Sequence, residues 1–268
     1  MEKKFKLGVI GAGFMATAII KGIIKAGLIH SEQIIVSDVC QTSLDKIASL
    51  NVSTTTDNEY LANNAEFVLF AVKPQGISEV LSQIKNCLCN KFISIMAGVK
   101  KQRIKDQING AKVARAMPNT PCSIGAGSIG LDVSDFDNDT DVNFISKLFS
   151  SIGAVVFVLE DKLNAVTGVS GSSPAYFYLF LKGIIESGVK HGLTEQEAKI
   201  LATNAMRGAA EMVINNEDKT LDDLIFAVCS KGGTTIQAIN EYNESDLSKI
   251  TEKAVDACVK RSVELENI

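Results

Sequence analysis

The chain has 268 residues, a formal net charge of −4 and a hydrophobic fraction of 46%. This length suits two domains of ordinary size, and the composition is that of an ordered globular protein. The negative balance provides no basic surface for a phosphate backbone, so we expect no nucleic-acid partner and a small-molecule substrate instead. The longest apolar stretch beyond the N-terminal region, residues 175–181, is too short to cross a bilayer, and no membrane association is expected.

Six cysteines are scattered along the chain, and the only close pair, Cys87 and Cys89, lacks the spacing of zinc or thioredoxin-type motifs. Lysines precede apolar residues within the first 20 positions, which superficially resembles an export signal. However, Gly8, Gly11 and Gly13 interrupt that apolar run at spacings typical of a turn. We therefore expect a cytoplasmic protein, and its two isolated histidines predict no metal site.

From residue 5 to about residue 158, short apolar segments rich in valine and isoleucine alternate with helix-like segments. This alternation is typical of an α/β domain in which helices cover a mostly parallel sheet. Helices are expected between the strands, for example over 16–26 and 142–150. The predicted strands are residues 6–10, 34–37, 67–72, 92–96, 113–116, 128–131 and 155–158.

The run from Gly11 through Ala12, Gly13, Phe14 and Met15 to Ala16 follows a predicted strand and begins a predicted helix. This is the context that the G-x-G-x-x-G/A dinucleotide-binding fingerprint requires, although an ordinary glycine turn is the alternative. The first glycine permits a tight turn, the second lets the backbone approach a pyrophosphate, and the alanine allows close packing.

Asp38 stands at the end of the second predicted strand, where an acid can accept hydrogen bonds from an adenosine ribose. A carboxylate there repels a 2′-phosphate, so we predict that NADH is used at least as well as NADPH. An exposed surface acid is the competing interpretation.

Three later loops follow predicted strands, at the edge where open α/β sheets bind ligands. The first contains Ala71, Val72, Lys73 and Pro74, and the second contains Ala97 and Gly98. In the third, Asn119 lies between two prolines and could line a nicotinamide pocket. A solvated lysine, a simple turn and a rigid connector are the corresponding alternatives.

After Glu160 the pattern becomes entirely helical, which places an expected domain boundary between residues 160 and 161. We predict a helix from Pro174 to about His191, a following helix capped by Thr194 with Glu197 completing a capping box, and a last helix over 247–266. The segment 175–185 is apolar nearly all round, so it must be buried. We expect a homodimer to bury it; a central helix within one monomer is the alternative.

The helical region also contains a run of small and polar residues, Ser230 to Thr235, directly before the helical pattern of residues 236–242. Hydroxyls and free amides at a helix start suit a carboxylate ligand. Capping alone needs only one or two such residues, so the run Gly232-Gly233-Thr234-Thr235 favours a ligand site.

Together these motifs resemble the pyrroline-5-carboxylate reductases over essentially the whole chain. The resemblance rests on Gly-Ala-Gly-Phe-Met-Ala at 11–16, Ala-Val-Lys-Pro at 71–74, Arg-Ala-Met-Pro-Asn-Thr-Pro at 115–121, Ala-Val-Thr-Gly-Val-Ser-Gly-Ser-Ser-Pro-Ala-Tyr at 165–176 and Gly-Gly-Thr-Thr at 232–235. It implies a Rossmann-type domain followed by an all-helical dimerisation domain, with dimers that assemble further, for example into a decamer. It also implies reduction of L-1-pyrroline-5-carboxylate to L-proline with NADPH or NADH.

By the same resemblance, Asn58 and residues 71–74 are cofactor contacts, and Thr235 places its hydroxyl beside the substrate nitrogen as the catalytic residue. The other substrate-side positions are Glu160, Ser230 and Thr234, and amides near Gly233 are expected to hold the substrate carboxylate. The chain departs from the family pattern at three positions: Ser173 replaces a glycine, Lys231 replaces a proline, and Asp38 replaces a small or basic residue.

Three other functions are compatible with parts of the sequence. A methyltransferase also binds an adenosine with a glycine turn and an acid, but the two-domain layout and Gly-Gly-Thr-Thr disfavour it. A reductase acting on a different imine shares the same chemistry, and a non-catalytic dinucleotide sensor shares only the cofactor site.

Overall fold

The computed structural model describes residues 3–266. They form two compact units: the first comprises the residues up to Ser172 together with those from Cys258 onward, and the second comprises Ser173–Ala257. The division falls later than the boundary expected at residue 160. The intervening residues belong to the first unit because they pack on its sheet, as Val166 does against Gly130.

The first unit contains an eight-stranded sheet in the order β3-β2-β1-β4-β5-β6-β7-β8. Neighbouring strands are parallel except β6 and β7, which are antiparallel. The predicted mostly parallel sheet is confirmed, and each predicted strand overlaps an observed one. The strands are β1 (Phe5–Ile10), β2 (Ile34–Ser37), β3 (Ser53–Thr55), β4 (Ala65–Phe70), β5 (Lys91–Ser94), β6 (Lys112–Met117), β7 (Gly127–Asp132) and β8 (Gly153–Phe157).

Helices cover both faces of this sheet, and a separate apolar cluster fills each layer. Strand β1 contributes Leu7 and Val9 to one cluster and Phe5 and Ile10 to the other. Burial on both faces explains why the central strands β1 and β4 are apolar except for Lys6 and Glu66 near their starts. The helices are α1 (Phe14–Lys25), α2 (Gln41–Ala48), α3 (Asn58–Asn64), α4 (Ile77–Ile84), α5 (Lys101–Lys105), α6 (Asp139–Ser150) and α7 (Leu163–Val166), which a π-helical turn, Thr167–Gly171, continues.

All regular secondary structure in the described part of the second unit is helical, as predicted. Its helices are α8 (Ser173–Lys190), α9 (Glu195–Ile214), α10 (Leu221–Val228), α11 (Thr234–Glu244) and α12 (Leu247–Leu265), the last of which ends in the first unit. The predicted capping box begins α9: the Thr194 hydroxyl accepts a hydrogen bond from the amide of Glu197, whose carboxylate accepts one from the amide of Thr194. Within this unit Phe180 of α8 packs against Tyr242 of α11, with ring centroids 5.9 Å apart.

A largely buried group of charges links α5 to the end of β7, the strand that runs antiparallel to β6. The ammonium of Lys101 lies 2.8 Å from a carboxylate oxygen of Asp132 and 3.0 Å from one of Asp135. Lys105 pairs with the other Asp135 oxygen at 2.7 Å. Burial opposes the ionisation of Asp135, but hydrogen bonds from Lys105 and Lys101 outweigh it and lower its pKa below the ordinary 3.8.

Replacing Asp135 by asparagine is expected to lower the free energy of unfolding at pH 7 by about 1–2 kcal/mol, because Lys101 and Lys105 each lose a charged partner. A depressed folded-state pKa stabilises the protein above the unfolded pKa, and this contribution disappears as the pH falls through the folded value. Urea unfolding at pH 7 and at successively lower pH should therefore show the difference between variant and parent shrinking only below about pH 4. Asp137→Asn, at an exposed ion pair with Lys112, serves as the control and should leave the unfolding midpoint unchanged; equal losses in both variants would contradict the prediction.

Candidate cofactor and substrate sites

The glycine turn after β1 lies against the residues that follow the neighbouring strands. The amide of Gly11 donates to the carbonyl of Ser37 at 2.7 Å, and the amide of Ala71 donates to the carbonyl of Ile10 at 2.8 Å. Gly11 has a φ of 105°, and a Cβ there would lie 2.6 Å from the carbonyl oxygen of Ala71. A side chain at Gly11 would therefore force the glycine turn and the loop after β4 apart.

The N-terminus of α1 is open to an anion. Gly13 is the N-cap and provides no side-chain hydrogen bond, and a Cβ added there would meet no atom within 4 Å. The free amides of the first turn and the positive end of the helix dipole suit a pyrophosphate in that space. Phe14 is exposed, Met15 packs partly buried against the core, and Ala16 is fully buried beneath the helix. These features fit a dinucleotide.

Asp38 directly follows β2 and lies beside the glycine turn. One of its carboxylate oxygens accepts a hydrogen bond from the amide of Ala12 at 2.7 Å, and the other accepts one from the amide of Cys40 at 2.8 Å. Each carboxylate oxygen has a second lone pair that can accept a ribose hydroxyl. The structure thus holds the Asp38 carboxylate beside the glycine turn, at the end of β2, while its contact with a ribose stays a prediction.

Asn58 lies at the start of α3 and is held between two side chains that sequence reasoning did not identify. The Ser37 hydroxyl donates to its amide oxygen at 2.5 Å, and its amide nitrogen donates to Gln83 at 2.6 Å. Ser37 could have been found from the sequence, because it is a polar residue at the end of an otherwise apolar strand. Its hydroxyl is buried in the structure. Gln83 of α4 offers no such signal, because its partner is 25 residues away.

The remaining predicted cofactor positions lie at the same edge of the sheet. Strand order reverses between β1 and β4, so the edge beside Gly11 is the topological switch point where such sheets bind nucleotides. Ala71 and Val72 follow β4, exposed Lys73 precedes a short helical turn that begins at Pro74, and the turn containing Ala97 and Gly98 follows β5.

Asn119 and Glu160 both form internal bonds within the first unit. The Asn119 amide nitrogen donates to the carbonyl of Ser170 at 3.0 Å, and its oxygen accepts from the amide of Ser128 at 3.0 Å. One Glu160 oxygen pairs with Arg115 at 2.9 Å and accepts from the amide of Lys101 at 2.7 Å. Both side chains therefore hold the scaffold together, and their contacts with nicotinamide and substrate stay predictions.

The predicted substrate residues other than Glu160 lie in the second unit at the N-terminus of α11. Gly233 is the N-cap and donates its amide to the carbonyl of Ser230 at 2.9 Å, which folds Ser230 back over the helix start. Thr234 and Thr235 form the first turn and are exposed. Among residues 3–266 the Thr235 hydroxyl has no hydrogen-bond partner, so it is available to a ligand.

Comparison with known proteins gives matches along most of the chain. Residues 160–265 match the family model described as pyrroline-5-carboxylate reductase dimerisation, and residues 6–98 match the one described as NADP oxidoreductase coenzyme F420-dependent. The pyrroline-5-carboxylate reductase of Haemophilus influenzae is 38% identical over 263 residues, which is 97% of each chain. That of Vibrio alginolyticus is 34% identical over the full length of both chains.

Solved structures give the same result. The pyrroline-5-carboxylate reductase of Coxiella burnetii superposes with a TM-score of 0.90 at 33% identity, covering 98% of this chain and 99% of that one. The Plasmodium falciparum pyrroline carboxylate reductase, solved with NADP bound, gives 0.87 at 29% identity and covers 99% of this chain and all of that one.

The fold, the glycine turn and these matches place the chain among the oxidoreductases that use a nicotinamide dinucleotide and a small-molecule substrate, and its dimerisation domain makes it a homo-oligomer. The chain belongs to the pyrroline-5-carboxylate reductase family. No helix in the described part of the chain is long and apolar enough to cross a membrane.

Proposed function

We propose that this chain reduces L-1-pyrroline-5-carboxylate to L-proline, the last step of proline biosynthesis, with NADH or NADPH. The observation that carries the proposal is the N-terminus of α11, which combines free amides with hydroxyls in a chain 38% identical to the Haemophilus influenzae enzyme. A cyclic imine with a carboxylate needs one site for its negative charge and one hydrogen-bond donor at its nitrogen. The residues from Ser230 to Thr235 supply both.

The substrate carboxylate is assigned to the start of α11. Gly233 leaves the first amides of the helix uncapped by a side chain, and the positive end of the helix dipole attracts an anion. The amides of Thr234 and Thr235 and the Ser230 hydroxyl can each donate a hydrogen bond to a carboxylate oxygen. These donors are fixed by the helix, so binding requires little reorganisation.

Catalysis is assigned to the Thr235 hydroxyl, which donates a hydrogen bond to the imine nitrogen. When bound, the reduced cofactor supplies the hydride that the imine carbon receives. Thr235 makes that carbon more electrophilic by stabilising the nitrogen as it gains electron density. The rest of the rate acceleration comes from holding the imine in a fixed orientation.

The cofactor is assigned to the carboxyl edge of the sheet in the first unit. The turn Gly11–Ala16 receives the pyrophosphate, and Asp38 accepts hydrogen bonds from the adenosine ribose. The other proposed contacts are Asn58, Ala71, Val72, Lys73, Pro74, Ala97, Gly98 and Asn119. Because Asp38 repels a 2′-phosphate, NADH is used at least as well as NADPH.

The decisive experiment follows NADH oxidation by the loss of its absorbance with pyrroline-5-carboxylate, and then with cyclic imines that are larger or lack the carboxylate. Rapid turnover of pyrroline-5-carboxylate and slow turnover of the others would support the proposal. Faster turnover of another imine would make the chain a reductase of that imine. NADH binding without any turnover would make it a dinucleotide sensor.

We further propose that the homo-oligomer is built on a dimer formed through the second unit, and that such dimers assemble further, as in a decamer. Helix α8 presents Phe177 and Leu179 with 55% and 72% of their surface exposed in the single chain. An apolar surface of this kind on one helix is typical of an interface.

The location we propose is cytoplasmic. All six cysteines are free thiols, which agrees with a reducing compartment.

Placing a charge on this surface is expected to weaken the dimer. Leu179→Glu would bury a carboxylate among apolar residues, so the dimer dissociation constant should rise at least about 100-fold. Sedimentation velocity over a range of concentrations measures the change. Lys147→Glu, on α6 of the first unit, is the matched surface control. Retention of the parent's association by Leu179→Glu would exclude α8 from the interface.

A further inference from the structure

The last turn of α12 packs directly on the turn that follows β5. Gly98 in that turn is buried and has a φ of 71°. A Cβ at Gly98 would lie 2.8 Å from the Cβ of Leu265 and 3.0 Å from its carbonyl carbon. Because glycine has no side chain, the backbone at Gly98 is in direct contact with Leu265. The position of the turn that follows β5 therefore depends on the position of the last turn of α12.

Glu266, directly after α12, fastens this contact. One carboxylate oxygen accepts a hydrogen bond from the amide nitrogen of Asn164 at 2.9 Å, and the other lies 3.0 Å from the ammonium of Lys100. The Glu266 side chain is only 9% exposed, whereas that of Lys100 is 54% exposed. The Ser262 hydroxyl, one turn earlier, donates to the amide oxygen of Asn164 at 2.7 Å. Ser262 of α12 and Glu266 just after it thus both hold Asn164, and Glu266 extends this network to the turn that follows β5.

A carboxylate at this position works against the helix it follows. The C-terminus of a helix carries partial negative charge, which disfavours an acid in the last turn. A carboxylate that is largely buried must be paired and hydrogen-bonded, so that of Glu266 depends on Lys100 and Asn164. Lys100 and Asn164 therefore fix the position of the Glu266 carboxylate, and the carboxylate in turn restrains these two side chains.

We propose that Glu266 is a positioning residue for the cofactor, which holds the turn from Ala97 to Lys100 where the dinucleotide binds. Because the proposed function assigns Ala97 and Gly98 to the cofactor, this inference rests on that function. Glu266 itself touches neither cofactor nor substrate. It acts through Lys100 and through the packing of Leu265 on Gly98.

Replacing Glu266 by alanine removes both of its bonds to the first unit. Loss of hydrogen bonds of ordinary strength corresponds to a rise of about threefold to tenfold in the Kd and KM for NADH. The KM for the imine and kcat should change by less than about twofold, since no substrate-side group is altered. Quenching or enhancement of NADH fluorescence on titration gives the Kd, and steady-state rates give the other constants.

Glu264→Ala is the matched control, because Glu264 lies on the same turn, is 46% exposed and pairs only with Arg261 in the described structure. Glu266→Gln keeps an acceptor for Asn164 but loses the charge beside Lys100, so its Kd should be intermediate. A merely structural role would lower the Tm of Glu266→Ala without changing the Kd for NADH at 25 °C.

An NADH Kd for Glu266→Ala within about twofold of that for Glu264→Ala would overturn the inference, since loss of a single hydrogen bond exceeds that limit. If Glu266→Ala does not fold, the Kd for NADH is measured for Glu266→Gln and Lys100→Met instead. Parental Kd values in both variants would likewise overturn the inference. The NADH titration needs no imine. Parent protein that binds NADH without reducing pyrroline-5-carboxylate would therefore contradict the proposed function while leaving this test intact.

Discussion

Replacing Thr235 by valine is expected to lower kcat about 100-fold, a loss typical of removing one donor that stabilises charge in the transition state. Valine has nearly the shape of threonine, so α11 and its uncapped amides are retained. Thr235 is exposed, and among residues 3–266 its hydroxyl binds no other group, so its loss leaves no unpaired partner in the protein. The Kd for NADH should stay within about twofold of the parent value, since the cofactor contacts are unchanged.

Two neighbouring variants make the result specific to the hydroxyl. Thr234→Val makes the same change one residue earlier on the same turn and should affect the KM for the imine more than kcat. Thr235→Ser restores a hydroxyl and should recover most of the activity. A kcat for Thr235→Val equal to that of the parent would remove Thr235 from the chemistry and leave the α11 amides and the Ser230 hydroxyl as the substrate donors.

Most of the sheet was predictable because its strands are buried on both faces. Strand β4 (Ala65–Phe70) is buried and apolar at every position except Glu66, and this leaves a continuous apolar run from Phe67 that is easily seen in the sequence. Strand β3 (Ser53–Thr55) escaped prediction for the opposite reason. It has three hydroxyl-bearing residues at the edge of the sheet, pairs with β2 alone and needs no apolar side chains.

The parts of the site formed by consecutive residues were also predictable. The turn from Gly11 to Ala16 is specified by residues that adjoin in sequence, since Gly11 needs a positive φ and Ala16 must fit beneath the helix. The partners of Asn119 and Glu160 could not be predicted. Arg115 is 45 residues from Glu160, and Ser170 is 51 residues from Asn119, so only the folded chain shows that these side chains are already bonded.

Asp38 was predictable in part, because its place along the chain could be interpreted but its hydrogen-bond partners could not. Its position after β2 indicated a ribose-binding acid, but nothing in the sequence indicated that its oxygens also accept hydrogen bonds from the amides of Ala12 and Cys40. The carboxylate therefore has a structural task as well, because it fixes the amide that follows Gly11. A substitution that tests its charge must preserve those two bonds as far as possible.

Asparagine at position 38 meets that requirement better than serine or alanine, since its amide oxygen can still accept from Ala12. Removing the negative charge is expected to raise the ratio of kcat/KM for NADPH to that for NADH by about 10- to 100-fold, the effect of 1–3 kcal/mol of like-charge repulsion. The change should appear mainly in the KM for NADPH, because the 2′-phosphate lies far from the reacting atoms.

Asp45→Asn is the control, because Asp45 lies on α2 close in sequence and its carboxylate bonds only to Gln41 in the described residues. High salt should reduce the difference between the parent and Asp38→Asn, since Asp38 is only half-buried and dissolved ions screen its repulsion of a 2′-phosphate. If Asp38→Asn loses affinity for both cofactors equally, Asp38 serves only to shape the glycine turn. Cofactor choice would then have to come from residues further along α2.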